Sequence, residues 1–316
     1  MLLRRVSDQL GIGLAIILLF VSLTFLNPYF LDFNNLMNVL LQVSISSILA
    51  VGMTFVIIAA GIDLSVGPLT AFSSVILGMA LHQSYGVALP LLLCVLIGAI
   101  LGLVNGIVIA KLKVPAFIAT LGMMSIVRGL ALYITNGQSI HMLPESFIAV
   151  SSGNIGGIPL PVVYAVAVAI IGAFVLNYTK FGRYVYAIGG NKEAARLSGI
   201  RTSLIEVCVY IISGITCGIG AIILAGRLNA GQPIAGVGYE LDAIAAVIIG
   251  GTSLSGGEGK ISGTIMGAVL IGMLRNGLNL MNVSPFLQQI IIGAVIIGAV
   301  FYDQYRRSKR DNLIAL

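Results

Sequence analysis

Asp63 stands alone as an acidic residue deep in the apolar first third of this 316-residue chain. A carboxylate inside a long apolar stretch is a functional candidate by default, for contact with a polar ligand or for carrying a proton. Yet Asp63 and Ser65 precede Pro68, and Ser or Asp shortly before a proline marks a helix start. Capping of a broken or re-entrant helix is the favoured reading. Other patterns exclude chemistry. Gly256-Gly257-Glu258-Gly259-Lys260 is glycine-rich and ends in lysine, but Leu254 stands where a phosphate-binding loop needs its first glycine and Ile261 where it needs Ser or Thr. It reads as a turn with a flanking lysine. No H-E-x-x-H, G-x-S-x-G or clustered carboxylate pair is present. Cys94, Cys208 and Cys217 lie in apolar runs without C-x-x-C spacing and read as packing residues. His82 and His141 stand alone in expected outer segments, so no metal site is expected.

The elements that position these residues follow from composition. Hydrophobic residues make up 58% of the chain, charged residues 9%, and mean hydropathy is +1.07. Soluble domains carry about 25% charge, so this chain reads as an all-α integral membrane protein, one transmembrane domain over residues 1–316. Apolar runs place about ten spans near 11–26, 36–60, 67–81, 88–109, 115–135, 162–178, 204–226, 241–252, 261–281 and 285–302. The first run ends at Asn27-Pro28 without a small-residue cleavage site and reads as a retained helix. With the N-terminus inside, most of the 17 Lys and Arg residues fall on the cytoplasmic side: Arg4, Arg5, Lys111, Lys113, six between Lys180 and Lys260, and the group Arg306, Arg307, Lys309 and Arg310. That is the positive-inside bias, with both termini cytoplasmic, and it explains the net charge of +6 without a nucleic-acid partner. Arg128, Arg227 and Arg275 run against it. The same topology sets Asp63 near the cytoplasmic face.

Two internal echoes suggest duplication. Residues 61–67 (GIDLSVG) resemble 251–257 (GTSLSGG), an even helix offset that implies a parallel repeat. Asn105-Gly106 before Val114-Pro115-Ala116-Phe117 resembles Asn276-Gly277 before Val283-Ser284-Pro285-Phe286, an odd offset that implies an inverted one. The second is favoured because it includes helix-breaking prolines and inverted repeats recur in transporters. The 39 glycines, as in Gly98-x-x-x-Gly102, imply close helix packing in lipid.

The segment 179–202 is polar and basic between two spans. Asn191 can cap a short helix, Glu193 suits its first turn, Ala194 and Ala195 favour helix, and Gly199 suits its end. Glu193-Ala194-Ala195-x-x-x-Gly199 resembles the EAA-x-x-x-G loop of ABC importer permeases. With residues 61–67, 181–200 and 239–254, the chain resembles the ribose/xylose/galactose permease family over nearly its whole length. The resemblance implies a type II importer-like bundle with two related halves in a bacterial inner membrane. It also implies a second permease copy, a cytoplasmic ATPase subunit that binds the ATP and magnesium, and a periplasmic sugar-binding protein. The chain itself would need no cofactor. Asn191, Glu193, Ala194, Ala195, Arg196, Ser198 and Gly199 would then couple to the ATPase.

Within that picture, the expected lining of a sugar path is Gln42, Asp63, Asn105, Asn136, Gln138, Asn276, Asn279 and Gln288, since neutral amides match hydroxyls without burying charge. Interhelical hydrogen bonding is the plainer role for any one of them. Arg227, Arg275 and Arg128 are candidates for docking the binding protein, with local pairing to Glu145, Glu240 or Asp242 as the alternative. An ion-coupled secondary transporter would want several mid-membrane charges, for which only Asp63 and Arg128 qualify.

Overall fold

A computed structural model describes residues 2–83 and 86–314. Among these, the helices are α1 (Leu2–Leu26), α2 (Phe33–Ile58), α3 (Val66–His82), α4 (Ala88–Ala110), α5 (Ala116–Thr135), α6 (Glu145–Ser152), α7 (Leu160–Tyr178), α8 (Lys180–Gly190), α9 (Lys192–Leu197), α10 (Thr202–Leu228), α11 (Tyr239–Ile249), α12 (Ile261–Leu280) and α13 (Pro285–Ile314). Strands β1 (Ile140–His141) and β4 (Ala230–Gly231) pair antiparallel, as do β2 (Asn154–Ile155) and β3 (Ile158–Pro159). Each expected span falls on a helix, and α6, α8 and α9 are additional short ones. Six helices, α2, α4, α5, α7, α10 and α12, are long and apolar enough to cross a membrane. The apolar parts of α1, α3 and α13 are shorter, and α11 has only 11 residues. The side chains of Arg4, Arg5, Arg306, Arg307, Lys309 and Arg310 lie outside the description.

Two helices form the centre. The apolar window of α2 is 83% buried and that of α10 67%, against 28% for α4 and 22% for α5 and α7. The outer helices therefore turn apolar side chains such as Leu92, Ile126 and Ile170 outward, an arrangement that lipid rather than water tolerates. Between helices in lipid, dispersion and polar contacts must do the holding. The most extensive interface joins antiparallel α4 and α10. There a side chain on Gly98 would strike the carbonyl of Gly214, one on Gly102 that of Tyr210, and one on Gly106 the backbone of Val207. Cys94 completes this seam as a packing residue, its thiol 3.3 Å from the Gly218 carbonyl. On the other side of α2, Thr54 and Thr264 join hydroxyls at 2.8 Å to tie it to α12.

The chain order repeats itself with reversed sense. A long helix (α2 or α10) ends, a non-helical segment follows (59–65 or 229–238), and a shorter helix (α3 or α11) begins inside the bundle. A further helix then turns sharply into the next one, α4 into α5 and α12 into α13. The turns contain left-handed residues Lys113 and Asn282 and lead to Pro115 and Pro285. The α4–α5 turn lies at the end of the bundle that carries α9, because α4 there meets Val207 near the start of α10. The α12–α13 turn lies at the opposite end, where Asn27 donates to the Leu280 carbonyl. This matches the inverted echo. The two segments of the parallel echo are neighbours at one end of α2, where the Gly257 amide donates to the Ile58 carbonyl at 2.9 Å.

Gly214→Val drives a side chain into the α4 backbone and should cost about 1–3 kcal/mol. Gly293, which has open space around its Cβ position, should accept alanine within about 0.5 kcal/mol. Thermal unfolding of the two purified variants in detergent compares them.

Candidate functional site

At one end of the bundle the residues 191–199 form the capped helix that their order dictates. Asn191 Oδ1 accepts from the Ala194 amide at 2.9 Å. The helix closes on Gly199 at φ +82°, with the Gly199 amide on the Arg196 carbonyl and the Ile200 amide on that of Ala195. Arg196 grips Glu193 with Nε at 3.0 Å and Nη2 at 2.6 Å, which holds the Glu193 carboxyl below its ordinary range. Both side chains are exposed, so the pair stabilises the fold little. Lys192 reaches Glu206 of α10 at 2.6 Å, fastening the helix to the bundle, and the other oxygen of Glu206 is buried without a partner. Asn191, Glu193, Ala194, Arg196, Ser198 and Gly199 are exposed. Ala195 is a correction: at 5% exposure it packs into the chain's own core and offers a partner nothing. Leu197, 75% exposed, was missed; its signal is an apolar residue three after Ala194 on a helix that is otherwise polar outside.

Inside the bundle, Asp63 is fully buried and accepts three hydrogen bonds. Oδ1 takes the Ser65 amide at 3.0 Å and the Ser65 hydroxyl at 2.5 Å, and Oδ2 takes the Ser213 hydroxyl at 2.8 Å. Asn105 Nδ2 donates to Ser65 Oγ at 2.8 Å, while its Oδ1 has no partner. One expectation changes. Ser65 is the N-cap residue of α3 but makes no side-chain cap bond, so Asp63 shapes the turn before the helix instead of capping it. The network of Asp63 reaches Ser213, eleven residues into α10, Asn105, five residues before the end of α4, and, through the Ile62 carbonyl, Thr120, four residues into α5.

Next to this network, the segment 232–238 descends along α3. Gly231 packs on Ser74 and Val75, and Gly236 on Gly67, where α3 and α11 both begin. Arg128 Nη1 holds the segment through the carbonyls of Pro233 at 2.6 Å and Ala235 at 2.9 Å. Arg275 Nη2 pairs with buried Asp242 at 2.7 Å. Both arginines are thus engaged inside the chain, which argues against docking for either. Arg227 is exposed in the last turn of α10.

The amides do not line one channel. Asn276 and Asn35 bond reciprocally at 2.8 and 3.1 Å. Gln288 donates to Asn279 at 2.7 Å and to the Val283 carbonyl at 2.9 Å, which clips α12 to α13. Asn136, left-handed at φ 49°, and Gln138 are exposed beyond the end of α5, and Gln42 is half-buried on α2. Of the expected path residues, Asn279 and Gln288 bond each other, and Asp63 and Asn105 meet through the Ser65 hydroxyl. Local pairing, the alternative to docking, holds for Arg275 with Asp242; what the sequence did not show is that Asp242 is buried and Glu240 half-buried.

A lipid-facing bundle wrapped around a buried polar centre is the architecture of a polytopic membrane transport protein. Residues 35–300 match the family described as branched-chain amino acid transport system / permease component, and the chain belongs to that family. The ribose import permease protein RbsC of Haemophilus influenzae is 42% identical over 301 residues, covering 94% of this chain and 93% of its own. The Bacillus subtilis protein of that name is 44% identical over 301 residues, covering 95% and 94%. The L-arabinose transport system permease protein AraH of Escherichia coli is 39% identical over 306 residues, covering 97% and 93%. No solved structure matches the chain.

Asp63→Asn keeps an acceptor for Ser65 and an amide that can face the Ser213 hydroxyl, so it should fold and transport. Asp63→Leu strands the Ser65 amide and both hydroxyls, at about 1–3 kcal/mol for each buried group left unpaired. Its yield of monodisperse protein on size exclusion should fall sharply.

Proposed function

We propose that this chain is the permease subunit of an ATP-driven sugar importer of a bacterial inner membrane, with ribose as the sugar. The observation that carries the reading is α9: a capped, exposed helix that offers Ala194 and Leu197 outward and is tied by Lys192 to the first turns of a central helix. That is the form of a docking element for a soluble motor. ATP and Mg²⁺ belong to that partner, since the one glycine-lysine turn here lacks the first glycine and the Ser or Thr of a phosphate loop. Ribose is favoured because relatives of that name match this chain at 42% to 44% identity over nearly its full length.

In this reading ten helices span the membrane (α1–α5, α7 and α10–α13), in two inverted halves of a type II importer arrangement. The end bearing α9 is cytoplasmic, as its lysines and arginines from 111 to 201 favour, and both termini lie on that side. Two copies form the pore and a periplasmic sugar-binding protein delivers the sugar, with Arg227 among its contacts.

Reconstitution with the ATPase subunit and candidate binding proteins tests the whole. Ribose-loaded binding protein should stimulate ATP hydrolysis and uptake. Uptake driven by an ion gradient without the ATPase would overturn the reading. Ala194→Glu and Leu197→Asp should leave a folded permease whose ATP hydrolysis no longer responds to sugar, whereas Ala195→Glu should lower folded yield by burying a charge within the chain. Arg227→Glu should weaken stimulation by the binding protein and flatten its salt dependence. Titrations with binding protein at low and high salt measure it.

A further inference from the structure

Arg128 and Glu240 face one half-open cavity beside α5, whose rim carries exposed Ser125 and Val237. The cavity, about 250 Å³, is lined by Pro68, Met124, Ser125, Arg128, Val237 and Glu240. Arg128 lies seven residues before the end of α5, about 10 Å along the helix. Its Nη1 is committed to the carbonyls of 233 and 235, and among the described residues Nε and Nη2 make no hydrogen bond. Glu240 Oε1 accepts from the Gly238 amide at 3.2 Å. Its Oε2 is buried against Gly67 and has no partner. The carboxylate sits in the first turn of α11 and beside the first turn of α3, so two helix N-termini favour its charge.

Charged groups at this depth do not face lipid; they face a watery path or another protein. The adjoining face of α5 agrees. Gly122, Ser125 and Gly129 recur there at helical spacing and are exposed, and both glycines have open space ahead of them. The lining also selects a ligand class. A guanidinium with free donors and a carboxylate with a free acceptor balance in charge, which suits a neutral solute over an ion. Ser125 adds a hydroxyl, and Pro68, Met124 and Val237 supply an apolar wall for C–H groups. The volume lies below the roughly 300–1,000 Å³ of drug-sized sites, in keeping with one sugar ring.

We propose that this cavity is a transit subsite at which the permease itself holds a monosaccharide, Glu240 accepting from its hydroxyls and Arg128 donating to it. The proposal rests on the sugar-import reading. The test uses the complete complex in proteoliposomes with ribose-loaded binding protein, measuring ribose moved per ATP. Glu240→Gln keeps the acceptor for Gly238 but loses the charge, so the ratio should fall by roughly tenfold or more, the worth of one charged hydrogen bond. Separately, Ser125→Cys should react with a membrane-impermeant thiol reagent, and ribose should slow that reaction during turnover. The wild type, whose Cys94 and Cys217 are buried and Cys208 half-buried, is the control. If wild type moves no ribose, the importer reading falls and the subsite with it. If wild type moves ribose but the Glu240→Gln ratio is unchanged, or the Ser125→Cys thiol is unreactive or indifferent to ribose, the subsite alone falls.

Discussion

At Gly67 and Gly236 two backbones touch so closely that a side chain on either residue would meet the carbonyl oxygen of the other. This contact lets α3 and α11 begin inside the bundle instead of at its surface. A helix that starts in the middle must satisfy free amides there, and the polar groups gather to do it. Glu240 lies against Gly67, Asp63 shapes the turn into α3, and Arg128 holds the carbonyls that lead into α11. Irregular backbone at this depth is tolerated only when buried in protein or beside water. The contact therefore gathers the polar groups of the chain into one centre.

From that centre a continuous mechanical route runs to the exposed helix. Lys192 of α9 is fixed to Glu206 of α10, and α10 lies along α4 with glycine backbone on glycine backbone. Further along the same helix, Ser213 bonds Asp63. An interface without side chains between the backbones has little slack, since close-packed surfaces transmit displacement instead of absorbing it. A shift of α9 by a partner would thus reach the turn before α3 through one rigid helix.

The amides divide along a related line. Where two meet, as in Asn276 with Asn35 or Gln288 with Asn279, they satisfy each other and tie helices together. In lipid such pairs are the adhesive that apolar contact does not supply. Among the buried polar atoms left without a partner in the described residues, Asn105 Oδ1 and Glu240 Oε2 adjoin the places where helices start mid-bundle.

The sequence by itself determined the class, the helices and the short capped helix α9. Composition excluded a soluble fold, each apolar run became a helix, and Asn191 and Gly199 cap α9 because cap chemistry is local. The inverted echo was legible because Pro115 and Pro285 each interrupt a helix whatever surrounds them. Depth and direction were another matter. That Asp63 lies level with Ser213, that Ala195 faces inward while Leu197 faces out, and that Arg275 pairs with Asp242 across two helices all depend on how segments far apart in the chain come together. The breaks at 59–65 and 232–238 were legible in part, since the runs 67–81 and 241–252 are short and Asp63 and Ser65 before Pro68 mark a helix start, but the way the two segments meet was not. Only the tertiary contact between two glycines 169 positions apart decided it.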